Sequence, residues 1–279
     1  ALASPEEAQE LWCAWLEGHS LDEDGAAHQR LLPLLHEKLS GHAGDIPQYG
    51  LIGGIRRYTW CENQQLFHAA APVLRALEAQ GIPTMILKGA ALALRYYQDT
   101  SLRCMRDVDI LVPPEYLPES LRVLRDLGWT PAQDWREEAL AAFAPLRHAH
   151  SFSNGHKREV DLHGYLFPVC LETASQRPFW EGSVECMLGG VRTRALCTSD
   201  QLMHVCLHAA LTVHEETYDW VLDASTVLAC GEEVDWGRLV GLSRDLRISP
   251  HIHAQLTKLR GFQPEQVPQK VLDSLAEDR

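Results

Sequence analysis

Apolar and polar positions repeat with a helical period over the first eighty residues. Residues 4–18 place Ser4 where an N-cap is needed and Gly18 where the apolar stripe ends, which predicts a helix. Residues 25–39 show the same period, and so does a longer segment whose last part is residues 66–81. We therefore expect the N-terminal part of the chain to be helical.

After residue 81 the pattern changes to short apolar runs that alternate with amphipathic segments. Residues 82–90 and 107–112 have the length and apolar character of strands. Residues 91–97 and 113–128 have the spacing of helices, and prolines open the second of them. A strand–helix–strand–helix order is typical of an α/β unit.

Two alternating segments within 147–167 surround Asn154-Gly155, a dipeptide that favours a tight hairpin turn. Residues 190–197 predict a further strand, and the helical period then returns over 199–214, 217–230, 235–245 and 249–260. The whole pattern predicts an α+β fold with a mixed β-sheet core flanked by helical regions. We place the regions at 1–80, 81–198 and 199–279.

Composition and charge narrow the classes of function. The net charge of −13, from 38 acidic and 25 basic residues, argues against a nucleic-acid partner because binding its backbone needs clustered Lys and Arg. The sequence lacks an apolar run of the ~18 residues that cross a bilayer, so we expect no membrane partner. The eight cysteines are scattered, which favours reduced thiols and a cytoplasmic location.

Two carboxylates, Asp107 and Asp109, stand one residue apart at the start of a predicted core strand. Residues i and i+2 of a strand share a face, so these like charges repel each other unless a cation lies between them. Asp161 is also embedded among apolar residues, in the second strand of the hairpin. Oxygen ligands favour Mg²⁺ or Mn²⁺, and a pair of such ions suits an in-line phosphoryl or nucleotidyl displacement. The simpler alternative is a solvated strand edge.

Basic residues near these carboxylates suggest a phosphate ligand. Lys88-Gly89 follows an apolar strand, where a Lys can contact phosphate and a Gly lets backbone amides approach it. Arg103 and Arg106 precede the acidic pair and can offset its charge or hold a phosphate tail.

Several separated motifs, in order, carry a family resemblance. They are LKGAALALRYYQDTSLRCMRDVDILVP, then VDLH, LMHVCLHAA, YDWVLDA and VDWGRL. In these motifs the chain resembles the uncharacterised bacterial nucleotidyltransferase family of the DNA-polymerase-β-like nucleotidyltransferase superfamily, and the resemblance covers about residues 60–260. The resemblance implies a nucleotidyltransferase-fold sheet whose carboxylates hold two Mg²⁺ ions for transfer of a nucleoside monophosphate.

Carried over by residue, the resemblance implies that Asp107 and Asp109 are metal ligands. Asp161 would hold the catalytic metal and help to activate the acceptor hydroxyl. Lys88 and Gly89 stand where the superfamily has a Gly-Ser phosphate-binding turn. The chain departs from that pattern because no Ser follows the Gly and seventeen residues, 90–106, separate it from Asp107.

Histidines offer further candidates. His148 and His150 are expected on one strand face, and His163 shares a face with Asp161, so all three can line the site or form structural cross-strand pairs. His204 and His208, four residues apart on a predicted helix, are expected to pack rather than to bind zinc.

A second acidic pair, Asp219 and Asp223, also lies four residues apart on a predicted helix. These carboxylates can reach an acceptor pocket or serve as caps and ion-pair partners.

We expect a Mg²⁺- or Mn²⁺-dependent nucleotidyltransferase that uses a nucleoside triphosphate such as ATP, acts on a small-molecule or peptide acceptor and releases pyrophosphate. A catalytically silent nucleotide-binding or partner-binding protein on the same scaffold is one alternative. A phosphotransferase that uses the same carboxylates is another. The base, the acceptor and the oligomeric state cannot be read from the sequence.

Overall fold

The computed structural model describes residues 3–21, 30–42, 44–133, 146–155, 158–212 and 219–278. Its helices are α1 (Pro5–Leu16), α2 (Leu32–Lys38), α3 (Tyr49–Ala79), α4 (Lys88–Arg95), α5 (Leu117–Asp126), α6 (Thr173–Glu181), α7 (Thr198–Leu211), α8 (Asp219–Ala229), α9 (Trp236–Asp245), α10 (Ser249–Phe262) and α11 (Gln269–Ala276). Its strands are β1 (Met85–Ile86), β2 (Asp107–Leu111), β3 (Thr130–Pro131), β4 (Ala149–Ser153), β5 (Glu159–His163), β6 (Val184–Leu188) and β7 (Val191–Ala195).

Within these described ranges, the strands form one mixed sheet in the order β3-β4-β5-β2-β1-β7-β6. The β2–β5 and β1–β7 pairs are parallel and the other pairs are antiparallel. Helices surround the sheet, so the predicted α+β class with a mixed sheet is confirmed. The division into regions at residues 80 and 198 stays a prediction.

Alternation along β2 sorts side chains between the two faces of the sheet. Val108 and Ile110 belong to an apolar cluster that also contains Leu74 of α3 and Leu121 of α5. Leu111, on the other face, joins a cluster built mainly from the C-terminal helices α7 to α11. Since residues i and i+2 share a face, Asp107 and Asp109 lie on the side of the C-terminal helices.

Most predicted elements are confirmed, with shifts at their ends. The N-cap of α1 is present, since the amide of Glu7 donates to Ser4 Oγ at 3.2 Å. The predicted hairpin strands pair as β4 and β5, although part of their turn lies outside the described residues. The same is true of parts of the predicted helices at 25–39, 199–214 and 217–230.

The strand predicted over 82–90 is wrong at its end. Only Met85–Ile86 pairs as β1, and α4 begins at Lys88 instead of residue 91. Strands β3 and β6 and helices α6 and α11 were not predicted. No helix among the described residues combines the length and the apolar character that a bilayer-spanning segment needs.

Candidate active site

The parallel pairing of β2 with β5 brings the predicted carboxylates together. Asp109 is in register with Asp161, and Asp107 is in register with Glu159. In-register residues of neighbouring strands project from the same face, so Asp107, Asp109 and Asp161 share one side of the sheet. Ligand atoms of Asp109, Asp161 and His163 all lie within 4.8 Å of one another.

Asp109 is the most buried of the three carboxylates, with 1% of its surface exposed. Its Oδ1 accepts hydrogen bonds from Lys88 Nζ at 2.5 Å and from His163 Nε2 at 2.9 Å. Burial alone would raise the pKa of the Asp109 carboxyl, but the Lys88 charge and the two hydrogen bonds hold that pKa well below its usual range. Asp109 is therefore a carboxylate at every physiological pH.

Asp107 has the opposite electrostatic environment. Burial and the neighbouring carboxylates of Asp109 and Asp161 raise the pKa of Asp107 to about 6. A carboxyl with such a pKa loses its proton readily when a cation binds beside it. The cluster as a whole therefore carries more negative charge than its neighbours neutralise.

Lys88 is the first residue of α4 and has a φ of 45°, a left-handed conformation that is unusual for a residue with a side chain. Burial lowers the pKa of its ammonium, but Asp109, Asp161 and Asp107 outweigh this effect and raise it. The sequence predicted Lys88 as a phosphate contact, whereas the structure places its ammonium on Asp109.

Gly89 follows at a point of close approach. A Cβ built there would lie 3.0 Å from Cγ of Met105, which is shorter than ordinary van der Waals contact. The absence of a side chain thus lets the start of α4 pack against the loop that leads into β2.

The two predicted arginines have different environments. The guanidinium of Arg103 donates from Nε and Nη2 to both carboxylate oxygens of Asp223, at 2.8 and 2.9 Å. Tyr97 donates its hydroxyl to the same carboxylate at 2.8 Å. Arg103 therefore ties the loop before β2 to α8 and is not placed as a free phosphate ligand. Arg106 is exposed and lines the cavity beside the carboxylates.

The three predicted histidines are not all brought to the site. His163 is buried and holds Asp109. The ring of His148 lies edge-on to that of His163, 5.6 Å between centroids, and burial together with His163 lowers the pKa of His148 to about 4. His150 is in register with Leu162, so it lies on the opposite face of the sheet from Asp161 and is not part of this cluster.

A cavity of about 900 Å³ is lined by Asp107, Asp109 and the start of α4. We call it the donor cavity, after the nucleoside triphosphate donor that the sequence predicts. Its volume falls within the range of small-molecule sites. Its other walls come from the C-terminal helices, with His204, His208, Trp220, Gln255, Lys258 and Phe262 among the lining residues.

Sequence reasoning assigned His204 and His208 to helix packing and missed the other four wall residues. His204 does contact Phe167, with ring centroids 5.6 Å apart, and burial together with the nearby His208 lowers its pKa well below the ordinary value. The same ring also lines the donor cavity. No local motif marks the wall residues, because helices distant in the sequence bring them to the cavity.

Comparison with known proteins identifies the family of the chain. The model of the family described as uncharacterised nucleotidyltransferase matches residues 24–253, and the chain belongs to this family. The resemblance read from the separated motifs is thereby confirmed. No curated protein shows significant similarity to the chain.

Three solved structures show partial similarity to the chain. The crystal structure of ANT(2″)-Ia in complex with adenylyl-2″-tobramycin is 14% identical, with 65% of this chain and 96% of that chain covered and a TM-score of 0.45. An antigenic nucleotidyltransferase-like protein from Paracoccidioides brasiliensis is 13% identical, with 75% and 92% covered and a TM-score of 0.49. The lincomycin-bound lincosamide antibiotic adenylyltransferase LnuA is 13% identical, with 57% and 93% covered and a TM-score of 0.39.

Proposed function

We propose that the protein transfers a nucleoside monophosphate from a nucleoside triphosphate to a hydroxyl group of a small-molecule or peptide acceptor, with release of pyrophosphate. The observation that carries the proposal is the group of three carboxylates on one sheet face, of which Asp107 and Asp109 line a cavity large enough for a nucleotide. Membership of a nucleotidyltransferase family supports the same reaction class.

The donor set fits a divalent cation. Asp109 and Asp161, whose carboxylate oxygens lie within 4.8 Å of one another, would hold Mg²⁺ or Mn²⁺ together with Asp107 on the same sheet face, since hard oxygen ligands and surplus negative charge suit these ions. When bound, such ions neutralise charge that develops on the transferring phosphoryl group. The raised pKa of Asp107 supports this assignment, because a bound cation offsets both the burial and the carboxylate repulsion that raise it.

The chain's own groups have distinct tasks in this mechanism. The first turn of α4, with Gly89 at its close contact, presents backbone amides toward triphosphate oxygens. Asp161 accepts the proton of the acceptor hydroxyl, and His163 keeps Asp109 oriented through the 2.9 Å hydrogen bond. The exposed Arg106 contributes positive charge near the departing phosphates.

One observation favours a second candidate, a nucleotide-binding protein without catalytic activity. Lys88 Nζ lies 2.5 Å from Asp109 Oδ1, where it neutralises a carboxylate that the reaction would need for a metal ion. If the ammonium keeps this place when a triphosphate binds, the protein binds nucleotide without transferring it.

Binding and turnover separate these candidates. We expect Mg²⁺ or Mn²⁺ with ATP, tested beside the other nucleoside triphosphates, to raise the melting temperature of the protein. Incubation with a panel of hydroxylated acceptors should then release pyrophosphate and give a product heavier by one nucleoside monophosphate. A product heavier by one phosphate would identify a phosphotransferase instead. Metal-dependent binding without either product across the panel would favour the silent binder.

A further inference from the structure

A second cavity, of about 580 Å³, lies beside the donor cavity. The loop Cys104–Arg106 lines both cavities and forms a common wall between them. The rest of the second cavity is made by Arg30, by one side of α3, and by Arg158 and Glu159 where β5 begins. Apart from Arg106, its lining residues have no role in the mechanism proposed above.

The two cavities share the loop before β2 but differ in the neighbour of β2 whose residues line them. The order β5-β2-β1 places β5 on one side of the carboxylate strand, and α4 follows β1 on the other. The donor cavity contains the start of α4, whereas the second cavity contains the start of β5. In an in-line displacement the incoming and departing oxygens lie on opposite sides of the phosphorus. If the triphosphate binds at the start of α4, as proposed above, the acceptor would therefore approach the phosphorus from the side of β5.

Asn63 supplies independent evidence that the second cavity holds a polar ligand. Its side chain is fully buried, and Nδ2 donates to the carbonyls of Thr100 at 2.6 Å and Arg103 at 2.8 Å. These two hydrogen bonds fix the orientation of the amide. Asn63 is one of the residues that line the second cavity, and its buried Oδ1 has no hydrogen-bond partner among the described residues. A buried carbonyl oxygen without a partner is costly, and a ligand donor would satisfy it.

Other residues of the lining indicate the chemical character of the rest of the ligand. Leu51, Ile55 and Tyr58 follow helical spacing along α3 and offer an apolar surface, although Leu51 and Tyr58 are 50% and 65% exposed. Glu159 adds an exposed carboxylate, which is a further hydrogen-bond acceptor. Apolar surface beside unpartnered acceptors suits a molecule that carries a hydroxyl donor on an apolar or aromatic skeleton.

We infer that the second cavity is the acceptor subsite and that the acceptor is a small alcohol with an apolar skeleton. This inference rests on the proposed nucleotidyl transfer, but the binding it requires can be measured without turnover. The hydroxyl would donate to a wall acceptor such as Asn63 Oδ1 while the apolar part packs against α3.

The test uses benzyl and phenethyl alcohols, each paired with its own methyl ether, as probes in saturation-transfer NMR and titration. We expect the alcohols to bind about tenfold more tightly than the ethers, because the ethers leave the wall acceptors unpartnered. Tyr58→Ala should weaken binding of the alcohols several-fold, and Leu51→Trp should do the same by filling the cavity mouth. Trp60→Ala is the matched control, because Trp60 is an exposed aromatic residue of the same helix that does not line the cavity.

The outcomes distinguish this inference from the proposed function. Alcohols that bind no better than ethers, or an equal effect of Tyr58→Ala and Trp60→Ala, would overturn the acceptor subsite. Binding of neither probe class would overturn it as well. All three variants should keep the rise in melting temperature with Mg²⁺ and ATP. Loss of that rise in the wild-type protein would instead count against nucleotidyl transfer, whatever the probes do.

Discussion

Two acidic centres, one around Asp223 and one around Asp109, differ in their charge balance. At the first, Asp223 accepts two hydrogen bonds from Arg103 and one from Tyr97, so a single carboxylate is matched by a single cation. At the second, Asp107, Asp109 and Asp161 share the ammonium of Lys88. The matched centre is a structural tie, and the unmatched one has the charge to bind a cation.

The largest expected effect is on catalysis at the unmatched centre. Asp109→Asn or Asp161→Asn removes a proposed metal ligand. If that ligand contributes about 4 kcal/mol to transition-state stabilisation, transfer should slow roughly a thousandfold. The melting temperatures of the two variants should differ. Asp161→Asn relieves repulsion and should leave the fold as stable or more so, whereas Asp109→Asn also removes the partner of Lys88.

Pyrophosphate release and thermal melting check this prediction. Glu185→Gln, at an exposed carboxylate of β6, is the control and should change neither quantity. Near-normal turnover in either aspartate variant would show that the carboxylates do not act as a metal cluster.

The matched centre should respond in stability instead of activity. Asp223→Asn leaves the Arg103 guanidinium without its charge partner, so the free energy of unfolding should fall by about 3 kcal/mol. Its control is Asp219→Asn on the same helix, whose pair with the half-exposed Arg30 should contribute only ~0.5 kcal/mol. Denaturant unfolding measures both. Equal stability of the two variants would contradict a structural role for Asp223.

The third prediction concerns pH and Asp107. Its pKa is raised from 3.8 to about 6, so between these values the folded protein binds more protons than the unfolded chain. The contribution of Asp107 to the free energy of unfolding therefore falls as the pH rises through this window. Below pH 6, Mn²⁺ must displace the proton, and its affinity should drop about tenfold per pH unit.

Titration with Mn²⁺ at several pH values checks this dependence. Asp107→Asn should bind Mn²⁺ more weakly at neutral pH and lose the steep dependence around pH 6. A wild-type affinity that stays flat from pH 5 to pH 7 would be inconsistent with the raised pKa of Asp107.

The smallest expected effect comes from Lys88. Lys88→Met removes the ammonium that occupies Asp109 but keeps an apolar stem, so Mn²⁺ should bind roughly three- to tenfold more tightly without nucleotide. Affinity for the triphosphate should fall, because the variant has lost positive charge near the phosphates. Lys258→Met is the control, since Lys258 also lines the donor cavity but is exposed. Weaker Mn²⁺ binding in Lys88→Met would mean that the ammonium positions Asp109 for the metal.

The contrast between the centres also shows what sequence could predict. The placement of Asp107, Asp109 and Asp161 follows from strand alternation and from polar residues embedded in apolar runs, which are local signals. The pair of Arg103 with Asp223 joins residues 120 positions apart. Nothing near Arg103 in the sequence distinguishes a structural partner from a phosphate ligand.

The errors at Lys88 and His150 have related physical causes. The apolar run through residue 87 predicts a longer strand, but the chain turns into α4 at Lys88 with a positive φ, and the Lys88 ammonium contacts Asp109. The spacing of His148 and His150 predicts one shared face. However, β4 begins only at Ala149, so His148 lies outside the strand and reaches His163 while His150 faces away.

We propose that the unmatched carboxylates bind divalent cations together with a triphosphate. Electron paramagnetic resonance can count the bound Mn²⁺ in the presence of a non-hydrolysable ATP analogue, for the wild-type protein and for Asp161→Asn. We predict roughly two ions per wild-type chain, and fewer, more weakly bound ions in the variant. Equal Mn²⁺ binding by the two proteins, or no binding by either, would contradict the account.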